Sequence, residues 1–583
     1  MWLLDTTTLQ IQQVTDPGEH KYVILSHTWE AAGEVNFQQI QQLETARGMR
    51  GFDKIEKTCS IARSRGIKLA WIDTCCIDKT SSAELSEAIN SMFRWYEQSA
   101  VCYVYLADLE PIPATNLPPR RWRDQVNKKI RHCRWFTRGW TLQELIAPRE
   151  MEFFDREWNS IGGKHAMARA LSEITTVDPL ILKNSSVLNS IPVAKKMSWA
   201  AGRQTTRVED RAYSLLGIFD INMPLIYGEG PKAFTRLQQQ VASQNNDLSL
   251  FAWQYDLSSL GPDLREPEFA GIFAPSPDEF RYCSTLRRHL DQFQLSTEFS
   301  ITNSGLRMED NLHRPRGEGD DSELILSLGC VTVTPQGPGN ALWLGIPLTK
   351  VGNTYFRSRP VSIETAISRS AWVSPSRNTN KKKPPNYIYI QTALGSNDAD
   401  RLSALMKTGI VIVYSRNVAK SVISPFGIPP ECCQAGWDDK NTFVFNTRGQ
   451  DNFLGIHFFR LKIDGYQQSN TGWQDKYSLV CALQWTGSSY ELILGIFRPG
   501  ELEVEAESLA REEDLIMQVR DNLLVKRSGD SGLLRQEVMP KWAFTAKSFH
   551  LQVRQIQKSD ENPTASLFTW KEGYFHVLVE MLK

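Results

Sequence analysis

A chain of 583 residues exceeds what one hydrophobic core usually supports, so two or three domains are expected. Its 66 Lys plus Arg balance 66 Asp plus Glu, which leaves no net charge to draw the whole molecule toward nucleic acid or anionic lipid. No apolar run approaches the ~20 residues of a membrane helix, and Asp5 arrives early, so neither a span nor a signal peptide is expected and the expected location is cytoplasmic.

The first part of the chain alternates apolar runs with helical patterns. Tyr22-Val23-Ile24-Leu25 leads into Ser26-His27-Thr28-Trp29, Lys68 to Ile72 leads into Asp73-Thr74-Cys75-Cys76-Ile77-Asp78, and Val101 to Leu106 leads into Ala107-Asp108. Short continuous apolar runs read as strands buried on both faces, the mark of a parallel sheet. Between them Ile55, Cys59 and Ala62 share a face ahead of Gly66, and Leu85, Ala88, Ile89, Met92, Phe93 and Tyr96 recur at helical spacing. A Ser81-x-x-Glu84 capping box opens the second helix. This order predicts a doubly wound α/β domain, which binds ligands at the carboxyl ends of its strands. Ser26, His27, Asp73, Asp78 and Asp108 fall there. Gly139 and Pro148 then bracket a short helix in which Trp140 and Glu144 stand four residues apart, placing an indole and a carboxylate on one face.

From Lys164 to about Trp253 the pattern is mainly helical, with Pro231 at a first helical position and Phe234, Leu237 and Val241 as an apolar stripe. Beyond about Phe269 short apolar runs separated by Gly, Pro and Asn predict a β-rich, sandwich-like region. Within it, Ser374 to Pro385, with Lys381-Lys382-Lys383, reads as an exposed linker, and Glu501 to Val525 as an acidic helical insert. The expected divisions are residues 1–163, 164–260 and 261–583, the last splitting near 425–440. Ten cysteines are scattered through core-like elements; the adjacent pairs Cys75-Cys76 and Cys432-Cys433 lack the gap of a zinc knuckle, so reduced thiols and no metal site are expected. No phosphate-binding Gly-x-x-x-x-Gly-Lys-Ser/Thr loop occurs.

Tyr22 to Trp29, Leu69 to Asp78 and Arg138 to Glu144 resemble, in order and spacing, the three motifs of the fungal heterokaryon-incompatibility (HET) domain. Met1 to Leu9 resembles the lead-in of such proteins, and Arg207 to Phe219 with Met223 to Gly230 resembles the segment that follows the domain. The HET domain is in turn similar to the Toll/interleukin-receptor (TIR) fold, some of whose members hydrolyse NAD with a helical glutamate while others only assemble signalling complexes. The resemblance thus implies a TIR-like doubly wound parallel sheet, NAD as a substrate instead of a resident cofactor, and Glu144 as the key carboxylate.

Each site residue has a structural alternative. Glu144, taken as exposed and ionised at neutral pH, stabilises charge developing on a ribose or else pairs with Arg138 or Arg134. Asp73 binds a ribose hydroxyl or caps the following turn. Ser26 and His27 look like a nucleophile and base, but adjacent strand residues point to opposite faces. Trp29 and Trp140 stack a nicotinamide or adenine ring or serve as core. Asp78, with Lys79, pairs or caps the helix that follows. The expected role is an effector of vegetative incompatibility and cell death acting through NAD or nucleotide hydrolysis. The alternatives are a non-catalytic scaffold that self-associates through the HET domain, with the β-rich region recognising an unknown partner, and a tailoring enzyme of a fungal metabolite pathway.

Overall fold

The computed structural model describes residues 1–30, 33–112, 119–256 and 267–288, then a discontinuous set of strands and one helix up to residue 582. The lysine-rich linker, Cys432-Cys433, the acidic segment from Glu501 and most of 425–440 lie outside the described residues.

The N-terminal sheet has seven strands: β1 (Trp2–Asp5), β2 (Ile11–Gln13), β3 (Tyr22–His27), β4 (Leu69–Ile72), β5 (Val101–Tyr105), β6 (Met151–Phe154) and β7 (Ser160–Gly163). Their order is β2-β1-β4-β3-β5-β6-β7. The central four run parallel, while β1, β2 and β7 pair antiparallel at the two edges. All ten residues of β3 and β4 are buried, as their unbroken apolar runs require. The antiparallel edges were not foreseen, because β1 and β2 are short and half polar. The chain leaves β3 toward β4 and then returns across β3 to β5, so the winding reverses between β3 and β5. In open α/β sheets ligand crevices form at such a reversal.

The connections are α1 (Phe37–Ile40), α2 (Leu43–Arg47), α3 (Phe52–Ser64), α4 (Ser82–Gln98), α5 (Pro119–Ile130) and α6 (Thr141–Ile146). Ile55, Cys59 and Ala62 form the buried face of α3, and Gly66 takes the left-handed conformation just beyond its end. In α4 the capping box is only half made. Ser81 accepts from the Glu84 backbone N–H, but the Glu84 carboxylate turns away to the Trp2 indole at 3.2 Å.

The helical segment comprises α7 (Lys164–Thr175), α8 (Pro179–Lys183), α9 (Val193–Ser198), α10 (Asp210–Tyr213), α11 (Leu216–Phe219) and α12 (Lys232–Gln244). The predicted stripe Phe234, Leu237 and Val241 is buried. One apolar cluster runs without a break from Leu3 through these helices to Ile390. Three further sheets follow, of eleven, six and three strands among the described residues. Their pairing is mixed: most neighbours run antiparallel, but Gly409–Tyr414 runs parallel to Tyr574–Leu582, and the helix Ser396–Lys407 precedes that pair. Seven cysteines between Cys59 and Cys330 are buried free thiols, and no described helix is long and apolar enough to cross a membrane.

α11 lies so close on α4 that a Cβ added at Gly217 would stand 2.1 Å from the Phe93 Cβ. Gly217→Ala is therefore expected to cost about 1–3 kcal/mol through overpacking, read as an earlier midpoint in urea unfolding. An unchanged midpoint would mean that the two helices do not touch in this way.

Candidate functional site

The carboxyl end of β3 presents two chemistries on its two faces. Ser26 and His27 are both buried, and alternation sends them apart. The Ser26 hydroxyl donates to Glu144 Oε2 and accepts from the Trp135 indole N–H at 2.8 Å. His27 instead pairs through Nε2 with Asp73 Oδ1 at 3.0 Å, with Lys54 Nζ 3.4 Å from its Nδ1. No nucleophile–base pair forms between them.

Glu144 reaches Ser26 because Gly139 and the turn before it fold α6 back over the strand end. The position departs from the sequence expectation in two ways. Its residue is only 6% exposed, and it makes no ion pair with Arg138 or Arg134. Burial, reinforced by the Asp73 charge, pushes its pKa up to about 8, against the opposing hydrogen bonds of Ser26 and Tyr96 and the field of Arg138. At neutral pH the protonated form dominates. A carboxyl buried this deeply keeps its proton because desolvating the charge costs more than its neighbours return.

Trp140 does not share an open wall with Glu144. It stands at the N-cap of α6, half-buried, and hydrogen-bonds Asp210 in the helical segment. Arg138 forms a bridge to Gln204 through its backbone. Arg134 donates from its side chain to the Trp29 carbonyl at 3.0 Å and from its backbone to Asp108 at 2.7 Å.

The other face is ionic. Asp73 accepts from His27 and, at 2.8 Å, from the Trp29 indole N–H. Burial works to raise its pKa, but the His27 bond and charge, with Lys79 and Trp29, hold it below the ordinary carboxylate range. Lys79 Nζ stands 3.8 Å from the centre of the Trp29 ring, which is 44% exposed. Behind them buried Lys54 pairs with Glu34 at 2.5 Å. Asp78 does not cap α4, whose N-cap is Ser81; its carboxylate holds the preceding turn, accepting from the Thr80 N–H and hydroxyl and from Gln38 at 2.7 Å. The structure thus brings Ser26, His27, Trp29, Asp73 and Glu144 to one sheet end, and leaves around it Asp78 in a turn, Arg138 in a backbone bridge and Trp140 turned to the helical segment.

Sequence reasoning missed Lys54, Glu34, Tyr96 and Trp135. Tyr96 and Trp135 are legible only as apolar positions, and nothing in the spacing marks Lys54 as a neighbour of His27 or Glu34 as the partner of Lys54.

The domain is an open α/β sheet whose strand ends gather titratable and aromatic side chains, the place where ligand crevices form in such sheets. Residues 22–144 match the family model described as Heterokaryon incompatibility protein (HET), so the chain carries a HET domain. Over 232 residues the chain is 45% identical to the Vegetative incompatibility protein HET-E-1 of Podospora anserina, a stretch amounting to 39% of this chain and 16% of that protein. No solved structure matches.

The raised Glu144 pKa fixes a sign for stability. A carboxyl near 8 in the folded chain and near 4.5 unfolded binds its proton more tightly when folded. Its stabilising contribution is complete below the unfolded value and is lost as pH rises through about 8. The stability advantage of wild type over Glu144→Gln should therefore shrink between pH 5 and 8 and stay level above, measured by urea unfolding. A gap that is flat from pH 5 to 9 would contradict the burial of this group.

Proposed function

We propose that this protein is a fungal effector of heterokaryon incompatibility whose HET domain acts by cleaving NAD or a related nucleotide. The name of the Podospora relative supports the biological half of this reading. The observation that carries the chemical half is the convergence of Ser26–Trp29, Asp73 and Trp135–Glu144 at the strand ends beside the winding reversal. The parallel order β4-β3-β5-β6 supports a TIR-like fold, and the proposed divisions are residues 1–163 as the domain, 164–260 as its helical extension and 261–583 as the β-rich region that follows. A cytoplasmic location belongs to the same proposal.

The exposed Trp29 ring offers a flat surface to a base. Asp73 keeps lone pairs beyond those used by His27 and Trp29 for a ribose hydroxyl. In cleavage the C1′–nitrogen bond breaks with its electron pair passing to nicotinamide, while water bonds to C1′ and releases its proton to solvent. The products are nicotinamide and ADP-ribose. Ionised Glu144 stabilises the positive charge that develops on the ribose. Because the resting group is protonated, activity rises with pH toward about 8.

One observation favours a second reading, in which the domain is a scaffold that self-associates. Glu144 is 6% exposed and tied to Ser26, which suits a group that shapes a surface more than one that meets a substrate.

Incubating the purified full chain with NAD separates the two. The enzymatic reading expects nicotinamide release that climbs from pH 6 to 8 and falls roughly 10²–10³-fold in Glu144→Gln. A wild type that releases none at high protein concentration, yet still kills on expression, would leave the scaffold reading standing.

A further inference from the structure

The matched family residues end at Glu144, yet the turn that delivers this carboxyl is gripped from beyond them. Arg203 is buried, 6% exposed, and its guanidinium donates to Trp199 O at 3.0 Å, Arg138 O at 2.8 Å and Thr141 Oγ1 at 3.2 Å. Two of these three acceptors bracket the Arg138–Thr141 turn that starts α6. Thr141 Oγ1 in turn donates to Trp135 O at 2.6 Å, linking the same turn to the indole that holds Ser26. Backbone bonds run alongside: Gly139 N to Gln204 O at 2.8 Å, and Gln204 N to Thr137 O at 2.7 Å. The approach is tight enough that a Cβ at Gly139 would stand 2.5 Å from Thr205 Cγ2.

The hydrogen-bond acceptors of this buried cation are all neutral oxygens, and Glu144 is the acidic group whose charge reaches it. Such a cation is a poor source of stability, since an apolar group of similar volume often does as well. What the guanidinium supplies is geometry, because its planar fork fixes three acceptors at once. Those acceptors set where α6 begins, and therefore where Glu144 points.

We propose that Arg203 is a positioning residue for Glu144, and that residues 199–214 complete the site and do not merely follow it. The proposal deepens the hydrolytic reading, but its primary test needs no activity. Full-length Arg203→Met and Arg203→Lys are each made in the wild-type and Glu144→Gln backgrounds, and stability is followed from pH 5 to 9 with amide exchange of residues 139–147. In the Arg203 variants the wild-type versus Glu144→Gln gap should lose most of its pH dependence, as water reaches the carboxyl. The amides of 139–147 should exchange about tenfold faster while those of β3 and β5 keep their rates. Lysine should not rescue, because it keeps the charge but not the fork. Should Arg203→Met fail to fold, Arg203→Lys carries the same comparison. An unchanged pH-dependent gap with unmoved amides, or full rescue by lysine, would overturn the proposal. If the gap and amides respond while the parent chain releases no nicotinamide, positioning stands and the hydrolytic reading falls. If nicotinamide is released and neither readout moves, the reverse holds.

Discussion

The hydrogen bond from Ser26 to Glu144 joins residues 118 apart in the chain and sets the carboxyl end of the parallel sheet. It holds α6 against the tip of β3, so the segment between β5 and β6 must fold back over the sheet. The bonded partners of the Glu144 carboxyl are two hydroxyls, Ser26 and Tyr96, and the field of Arg138 does not offset the cost of burying the charge. The proton resolves the conflict, and the helix docks as a neutral group.

One residue further along β3 the electrostatics invert. His27 carries the sheet end onto a layer where Asp73 stays ionised against His27 and Lys79, backed by the Lys54–Glu34 pair. The negative charge of Asp73 adds to the rise at Glu144, so two carboxyls at one strand end are driven in opposite directions. Groups pushed apart in this manner are how one site holds an acid and an anion together at a single pH. The side-chain alternation of a single strand is enough to arrange it.

Much of the architecture was legible because burial on both faces leaves a plain trace. β3, β4 and β5 were readable from unbroken apolar runs, and α3 and α4 from their stripes. What escaped were features set by long-range approach. The edge strands β1, β2 and β7 are too short and polar to announce themselves. Ser26, His27 and Asp73 lie at strand ends as their apolar runs predict, but Glu144 is buried where exposure is expected, since spacing reports which face a residue occupies on its own helix and not what covers that face. For the same reason Trp140, four residues away, could be expected beside Glu144 when its indole in fact goes to Asp210. Arg203 lies in a segment with no motif of its own, and only the fold brings it to the turn it holds.

The claim on which this account turns is that Glu144 is a buried, protonated acid at neutral pH. Infrared difference spectroscopy between the full-length wild type and Glu144→Gln, titrated from pH 5 to 10, addresses it without reliance on any substrate. A buried acid shows a protonated-carboxyl band at pH 7 that is missing from the variant and fades through about pH 8. A carboxylate signal already complete at pH 6 would contradict it.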